Sequence, residues 1–221
     1  MKLYTIVVAG GSGQRFGSQT PKQFLELNGL PVIMHSINTF WNFDSSIGIV
    51  ISLPADYFDF WQTLVSKYKF EVPHKIVAGG ATRFQSVKNG LDSIEDEGLV
   101  AIHDAVRPLV SNETIARCFE RAQQFGNAIP VIPMVDSIRE LKDQSSFQVN
   151  RDAYVLVQTP QVFRVSLLKS AYKQEFSTLF TDDASVVEKM GIQIELTEGN
   201  RENIKITNQM DFIFAEAILK K

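Results

Sequence analysis

The sequence predicts an α/β protein: a single Rossmann-like domain over residues 1–221, with a mostly parallel sheet flanked by helices and a protruding β-hairpin arm at about residues 137–152. Three observations predict it. Apolar runs of strand length alternate with amphipathic runs of helical period, the pattern that covers a parallel sheet on both faces. The first apolar run empties into a glycine-rich loop, Ala9-Gly-Gly-Ser-Gly-Gln-Arg15. Polar groups also gather after several later strands, where open parallel sheets bind ligands beyond the carboxyl ends of their strands.

In chain order, the β-branched run at 3–9 reads as a buried strand. A helix is expected at 30–40, a strand at 47–53 and a helix at 55–68. Then come a strand at 75–77, a helix at 83–94, a strand at 99–103, a helix at 112–125 and a strand at 128–132. The stretch from Ser137 to Arg151 alternates apolar and polar residues around a polar turn at 143–146, and so reads as a hairpin. Strands at 154–159 and 193–197 and helices at 165–174 and 182–190 follow. Thr181 is the expected cap of the 182–190 helix, with Asp182 and Asp183 in its first turn. The last helix, 208–219, starts at the N-cap Asn208 and carries Met210, Ile213, Phe214, Ala217 and Ile218 on one stripe, the expected inward face.

Composition narrows the function. An apolar fraction of 44%, a charged fraction of 21% and a net charge of −3 describe an ordinary globular chain with no bulk affinity for nucleic acid or anionic membranes. No run of apolar residues is long enough to span a bilayer, and the short run after Lys2 passes straight into the glycine loop, so a cytoplasmic location is expected. The single cysteine, Cys118, rules out an internal disulfide and reads as a buried, inert thiol in a helix. His35, His74 and His103 are too scattered to form a metal motif, and His103 reads as a packed strand-end residue. The aromatic group Tyr57, Phe58, Phe60 and Trp61 reads as core or interface.

The chemistry concentrates in loops. Glycines at 10, 11, 13 and 17 let backbone N–H groups approach a phosphate closely, and Arg15 and Lys22 stand where they could hold a polyphosphate. The loop is neither a dinucleotide fingerprint, because Phe16 stands at its third small position, nor a P-loop, because no Gly-Lys-Ser/Thr follows. Further loops of this kind are Gly79–Ser86, His103–Pro108, the Asp136-Ser137 pair and Gly199–Thr207.

These segments together resemble the 2-C-methyl-D-erythritol 4-phosphate cytidylyltransferases of the sugar-nucleotidyltransferase fold. The matching motifs are Ala9–Arg15, Pro21-Lys-Gln23, Gly79-Gly80 with Arg83 and Ser86-Val87, His103-Asp-Ala-Val-Arg-Pro108, Thr159-Pro-Gln-Val-Phe163, Thr181-Asp-Asp-Ala-Ser185 and Asn203-Ile-Lys-Ile-Thr207. The resemblance implies CTP and a sugar-alcohol phosphate as substrates, Mg²⁺ as cofactor on Asp104, and a homodimer formed through the hairpin arm. It implies Arg15 and Lys22 as transition-state stabilisers, and Arg151 and Lys205 as the pair that holds the attacking phosphate in line. Ala9, Gly10, Gly11, Gly13, Gly80, Ala81, Ser86, Asp104 and Ala105 are the implied nucleotide-binding residues. Arg107, Ser137, Arg151, Thr159, Thr181 and Lys205 are the implied substrate-binding residues.

Plainer readings stand beside these. Asp104 could cap its strand end, Arg107 could serve as a structural ion-pair partner, and Lys205 could face solvent. The chain departs from the family pattern at Ser137, where threonine is common, at Ala81, where an acidic residue is frequent, and at Arg201-Glu202, where a second metal carboxylate is expected. Competing functions are a ribitol- or glycerol-type polyol-phosphate cytidylyltransferase, an NAD-dependent dehydrogenase and an inactive nucleotide-binding regulator.

Overall fold

The computed structural model describes residues 1–10 and 20–220. Strand β1 (Lys2–Val8) is followed by the short pair β2 (Glu26–Leu27) and β3 (Leu30–Pro31), helix α1 (Val32–Phe43) and strand β4 (Gly48–Leu53). Helix α2 (Phe58–Lys67), strand β5 (Lys75–Ala78), helix α3 (Arg83–Asp92), strand β6 (Gly98–Asp104), helix α4 (Asn112–Phe125) and strand β7 (Asn127–Pro133) continue the alternation. The arm is β8 (Arg139–Lys142) and β9 (Ser145–Gln148). Strands β10 (Val155–Val157) and β11 (Gln161–Arg164), helices α5 (Val165–Ala171) and α6 (Asp183–Glu188), strand β12 (Leu196–Glu198) and helix α7 (Gln209–Leu219) complete the chain.

The main sheet has the order β10-β7-β11-β6-β1-β4-β5, with β12 pairing β7. Neighbours from β6 through β1 and β4 to β5 are parallel, as are β12 and β7. Strand β11 runs antiparallel to both β6 and β7, and β10 is antiparallel to β7. The mostly parallel sheet is therefore as expected, but β11 is not: its four residues follow a Thr-Pro step and fall between the expected 154–159 strand and 165–174 helix, in a stretch assigned to neither. The 154–159 strand shortens to three residues, and 55–68 divides into a 3-10 turn (Ala55–Tyr57) followed by α2.

The buried alternation of β6 shows why helices lie on both faces. Leu99 and Ala101 join one core with α1, α2 and α4, and Val100 and Ile102 join the other with α3, α5 and α6. On α1, Ile33, Met34, Ile37 and Phe40 are fully buried, at ~1.5–3 kcal/mol each for the apolar surface removed from water. Trp61 is core, as expected, and Cys118 is buried in α4, its thiol pushed up to about 12 by burial.

Two helix readings need correction. The cap of α6 is Asp182, not Thr181: its carboxylate accepts the Ser185 N–H (2.9 Å) while the Ser185 hydroxyl accepts the Asp182 N–H (3.2 Å). The expected inward stripe of α7 faces outward, with Met210, Ile213 and Phe214 each more than half exposed. Helix α7 is apolar nearly all round, so its pattern does not choose a face. It seats on fully buried Ala215 against Leu27, Val32, Val106 and Ile206, with Phe212 and Leu219 alongside. Its cap, Asn208, is as expected.

The hairpin forms where it is expected, with a turn at Asp143 and Gln144, and every residue of its two strands is exposed. Arg139 stiffens it by donating to the Ser146 hydroxyl and carbonyl, both at 2.8 Å.

Candidate active site

The carboxyl ends of β1, β5 and β6 open on one cavity of about 370 Å³. The Ala9 N–H donates to the Ser52 carbonyl (2.9 Å), fixing the end of β1 beside β4. Gln23, almost wholly buried, donates from its amide to the Ala9 carbonyl (2.9 Å), so the short 3-10 turn Lys22–Phe24 is tied to that strand end and Lys22 lines the cavity. The facing wall is the Gly80–Thr82 loop. Ser86 shapes it: its hydroxyl accepts the Gly80 N–H (3.1 Å) and donates to the Thr82 carbonyl (2.9 Å). Gly80 is needed there, since a Cβ would fall 1.9 Å from Gln85 Cγ.

A second cavity, about 290 Å³, adjoins the first and is lined by Arg107, Thr159, Thr181 and Asp182 among others. Arg83, Asp104 and Lys205 line both. Asp104, the last residue of β6, is ringed by cations. Lys205 Nζ lies 2.9 Å and Arg107 Nε 3.5 Å from Oδ2, and Arg83 Nε lies 3.6 Å from Oδ1. Burial alone would push this carboxyl up, but Arg83, Lys205 and Arg107 outweigh it and hold Asp104 well below the usual carboxylate range. The shared wall is thus an ionised carboxylate ringed by cations, an environment that suits phosphates.

Behind this wall the chain is wired through buried polar groups. The Asp104 N–H donates to Thr159 Oγ1 (3.1 Å), and Thr159 in turn meets His103 Nδ1 (3.1 Å), while His103 Nε2 meets the Arg107 carbonyl (3.0 Å). Fully buried Asn203 donates to the Thr159 carbonyl (2.8 Å), and its own carbonyl accepts from Arg107 Nη1 (2.8 Å). Lys205 is therefore carried by a segment clamped to the same turn that carries Asp104.

The structure brings Ala9, Gly10, Lys22, Gly80, Ala81, Ser86, Asp104 and Lys205 to the first cavity, and Arg107, Thr159, Thr181, Asp104 and Lys205 to the second. Gly11, Gly13 and Arg15 lie outside the described residues. Ala105 is fully buried behind the wall, with its carbonyl accepting from Ser36 Oγ (2.9 Å). Ser137 and Arg151 are placed apart, lining a cavity of about 550 Å³ at the base of the arm. Arg107 is an ion-pair partner of Asp104 and also lines the second cavity. His103 is fully packed, with Phe40 edge-on at 5.0 Å. Glu202 receives a hydrogen bond from Asn200 (3.3 Å) and lines neither cavity. Sequence reasoning places Arg83, Asp183 and Asn203 in motifs without these roles and passes over Gln158, because the partners seen here lie 42 to 100 residues away in the chain.

Could this site hold a magnesium ion? No group of three or more potential metal-ligating side chains occurs among the described residues. Mg²⁺ in phosphate chemistry needs only one or two carboxylates, with phosphates and water completing its shell. An ionised Asp104 at the common wall of the two cavities fits that demand.

A mostly parallel sheet covered on both faces, with a cation-ringed carboxylate between two cavities at its strand ends, is an α/β fold with a site suited to phosphates; its relatives make the class a nucleotidyltransferase. The family model described as IspD, 2-C-methyl-D-erythritol 4-phosphate cytidylyltransferase, matches residues 3–221. A relative of that name from Bacteroides thetaiotaomicron is 52% identical over 219 residues, 99% of this chain and 100% of its own length. One from Porphyromonas gingivalis is 48% identical over 219 residues, 99% of this chain and 98% of its own. Among solved structures, 4-diphosphocytidyl-2C-methyl-D-erythritol synthase from Anaerococcus prevotii superposes with a TM-score of 0.84 at 28% identity, covering 100% of this chain and 96% of that one. The 2-C-methyl-D-erythritol 4-phosphate cytidylyltransferase of Thermus thermophilus does so with a TM-score of 0.79 at 30% identity, covering 100% of both chains. The chain belongs to the 2-C-methyl-D-erythritol 4-phosphate cytidylyltransferase family. No helix among its described residues is long and apolar enough to cross a membrane.

Proposed function

We propose that the chain carries out the reaction for which its family is named, transfer of a cytidylyl group from CTP to 2-C-methyl-D-erythritol 4-phosphate with release of pyrophosphate. The observation that carries this reading is the wall of Arg83, Asp104 and Lys205 common to two adjoining cavities. CTP takes the first cavity and the acceptor's phosphate the second, so that the reacting atoms meet at the shared wall.

The acceptor is a phosphate monoester, mostly dianionic at neutral pH because its second pKa is ~6. It needs no base to attack the α-phosphorus, which agrees with a site whose nearby imidazole, His103, is buried away from both cavities. Catalysis is then positioning and charge stabilisation. Lys22 and Arg15 neutralise the triphosphate, Lys205 draws the acceptor phosphate in line, and Arg107 and Thr181 hold its flank. Asp104 would hold Mg²⁺, which when bound screens charge on the phosphates. Lys205, at 2.9 Å from Asp104 Oδ2, leaves that oxygen as it turns to the acceptor.

Arg151 does not stand with Lys205 in this chain: it donates to the Val135 carbonyl and lines a different cavity at the arm's base. We assign the arm to a homodimer contact in which Arg151 is offered to the partner's site. The exposed Leu141 and Phe147 of the arm and the exposed edge strand β10 supply apolar surface for that contact.

The test is pyrophosphate release with CTP and Mg²⁺, comparing 2-C-methyl-D-erythritol 4-phosphate with ribitol 5-phosphate. Preference for the former is expected, and preference for the latter refutes the acceptor assignment. A mixture of Arg151→Ala and Lys205→Ala chains should regain activity that neither has alone; no gain removes the assigned contact.

A further inference from the structure

Arg83 is the one residue of the shared wall to which the proposed mechanism gives no task, and its surroundings are unusual. Its Nη1 and Nη2 donate to the two carboxylate oxygens of Asp183 at 3.0 and 2.6 Å. Asp183 is fully buried, and it also accepts the Tyr172 hydroxyl at 2.5 Å. Tyr172 is itself held, stacked on Phe84 with ring centroids 4.5 Å apart, and Phe84 is the residue after Arg83. The fork of the guanidinium is thus engaged on the side away from the cavities. What remains is the Nε edge, which faces Asp104 Oδ1 at 3.6 Å.

Pairing Arg83 with a fully buried Asp183 is a poor way to gain stability, because taking the carboxylate out of water offsets much of the attraction. Here the pair does something an apolar contact of the same size would not. It ties the start of α3, directly after the Gly80–Thr82 wall of the first cavity, to the start of α6, directly after the Thr181 and Asp182 wall of the second. The α6 end is pinned in turn by Gln161, which accepts the Ala184 N–H (2.9 Å) and donates to Asp182 (2.7 Å). Because Asp183 balances its charge, Arg83 is a spacer with a fixed direction more than a free cation for phosphate.

We propose that Arg83 is a positioning residue for the transfer reaction: clamped by Asp183 and Tyr172, it fixes the orientation of Asp104 and the register of the two cavities. This rests on the reading of the cavities given above. Displacing a positioned group by about 1 Å can cost ~10²-fold in rate. Arg83→Gln is therefore expected to lower kcat by roughly that factor while KM for CTP changes little. The single variant also strands a buried charge on Asp183, so its effect alone would not separate positioning from folding.

The deciding experiment compares wild type, Tyr172→Phe and the double variant Arg83→Gln/Asp183→Asn, with kcat, both KM values, CTP binding by calorimetry and thermal melting measured for each. The double variant replaces the ion pair by two amides, so most of its melting temperature and its CTP affinity should be retained while kcat stays low. Tyr172→Phe keeps both charges and the Arg83–Asp183 pair, and should lower kcat by about three- to tenfold, a part of the ~10²-fold expected when the clamped group is displaced. A double variant with normal melting and normal kcat, or a Tyr172→Phe chain with unchanged kcat, overturns the inference while leaving the transferase reading intact. A double variant that does not fold passes the decision to Tyr172→Phe. A wild-type chain that releases no pyrophosphate overturns both.

Discussion

Acidification should weaken this fold through His103 in particular. The imidazole is fully buried, and both of its nitrogens are engaged. Thr159 Oγ1 already accepts the Asp104 N–H, so its own proton points to Nδ1, and Nε2–H donates to the Arg107 carbonyl. That arrangement satisfies every group in the neutral ring; a second proton would turn the Thr159 hydroxyl out of its bond. Burial, outweighing the raising pull of the Arg107 carbonyl and Asp104, pushes His103 down from 6.5 to about 4. The native state therefore binds fewer protons than the unfolded chain between those values, and stability falls as pH drops through that window. At ~1.4 kcal/mol per pH unit, the full window is worth about 3 kcal/mol, a large share of the ~5–15 kcal/mol that holds a domain together. The assay is urea unfolding of wild type and His103→Gln from about pH 7.5 to pH 4.5. Both lose stability as carboxylates titrate, but wild type should lose about 2–3 kcal/mol more. Parallel curves, or an imidazole carbon resonance titrating near 6.5 in the native state, would refute the reasoning.

Asn203→Ala removes two hydrogen bonds from a fully buried site and leaves the Thr159 carbonyl unsatisfied, so a loss of ~2–3 kcal/mol in chemical unfolding is expected, with reduced turnover because Lys205 sits two residues on. Gly98→Ala would set a Cβ 2.2 Å from the Lys2 carbonyl oxygen. It should cost about 1–3 kcal/mol and several degrees of melting temperature, with turnover per folded molecule unchanged, since Gly98 lies at the far end of β6 from the site. Lys22→Ala should cut kcat by about 10²–10³-fold without altering the melting temperature, and near-normal turnover would remove Lys22 from the mechanism.

Reading the sequence succeeded where one segment carries its own signal. The runs at β1, β4 and β6 are apolar because both faces of the sheet are covered, and Asn208 announces its helix because a cap is a local contact. It failed where a choice is settled by distant chain. Helix α7 has two usable apolar faces, and only the position of Leu27, Val32 and Ile206 selects Ala215. Strand β11 is a strand because β6 and β7 leave a gap for it, not because Gln161–Arg164 reads as one. The glycine and cation loops after β1, β5 and β6 named most of the residues that line the two cavities. What those loops could not reveal is the layer behind them, where Arg83 meets Asp183 and Asn203 meets Thr159 across 100 and 44 residues. Nor could spacing show that Ser137 and Arg151 stand away from Lys205 within one chain.

The seam between the cavities has an evolutionary consequence. Apart from Val106 and the three shared residues, the first cavity is built from chain before residue 87, and the second from chain between Arg107 and Asp182. The two banks can therefore drift apart only outside the residues that join them, Arg83, Asp104 and Lys205 on the shared wall and Thr159 and Asp183 behind it. Substitutions at Val157, Thr181 and Asp182, which line the second cavity alone, offer a route to new acceptor alcohols, whereas a recombination breakpoint between α3 and β6 would split the shared wall, taking Arg83 from one parent and Asp104 and Lys205 from the other.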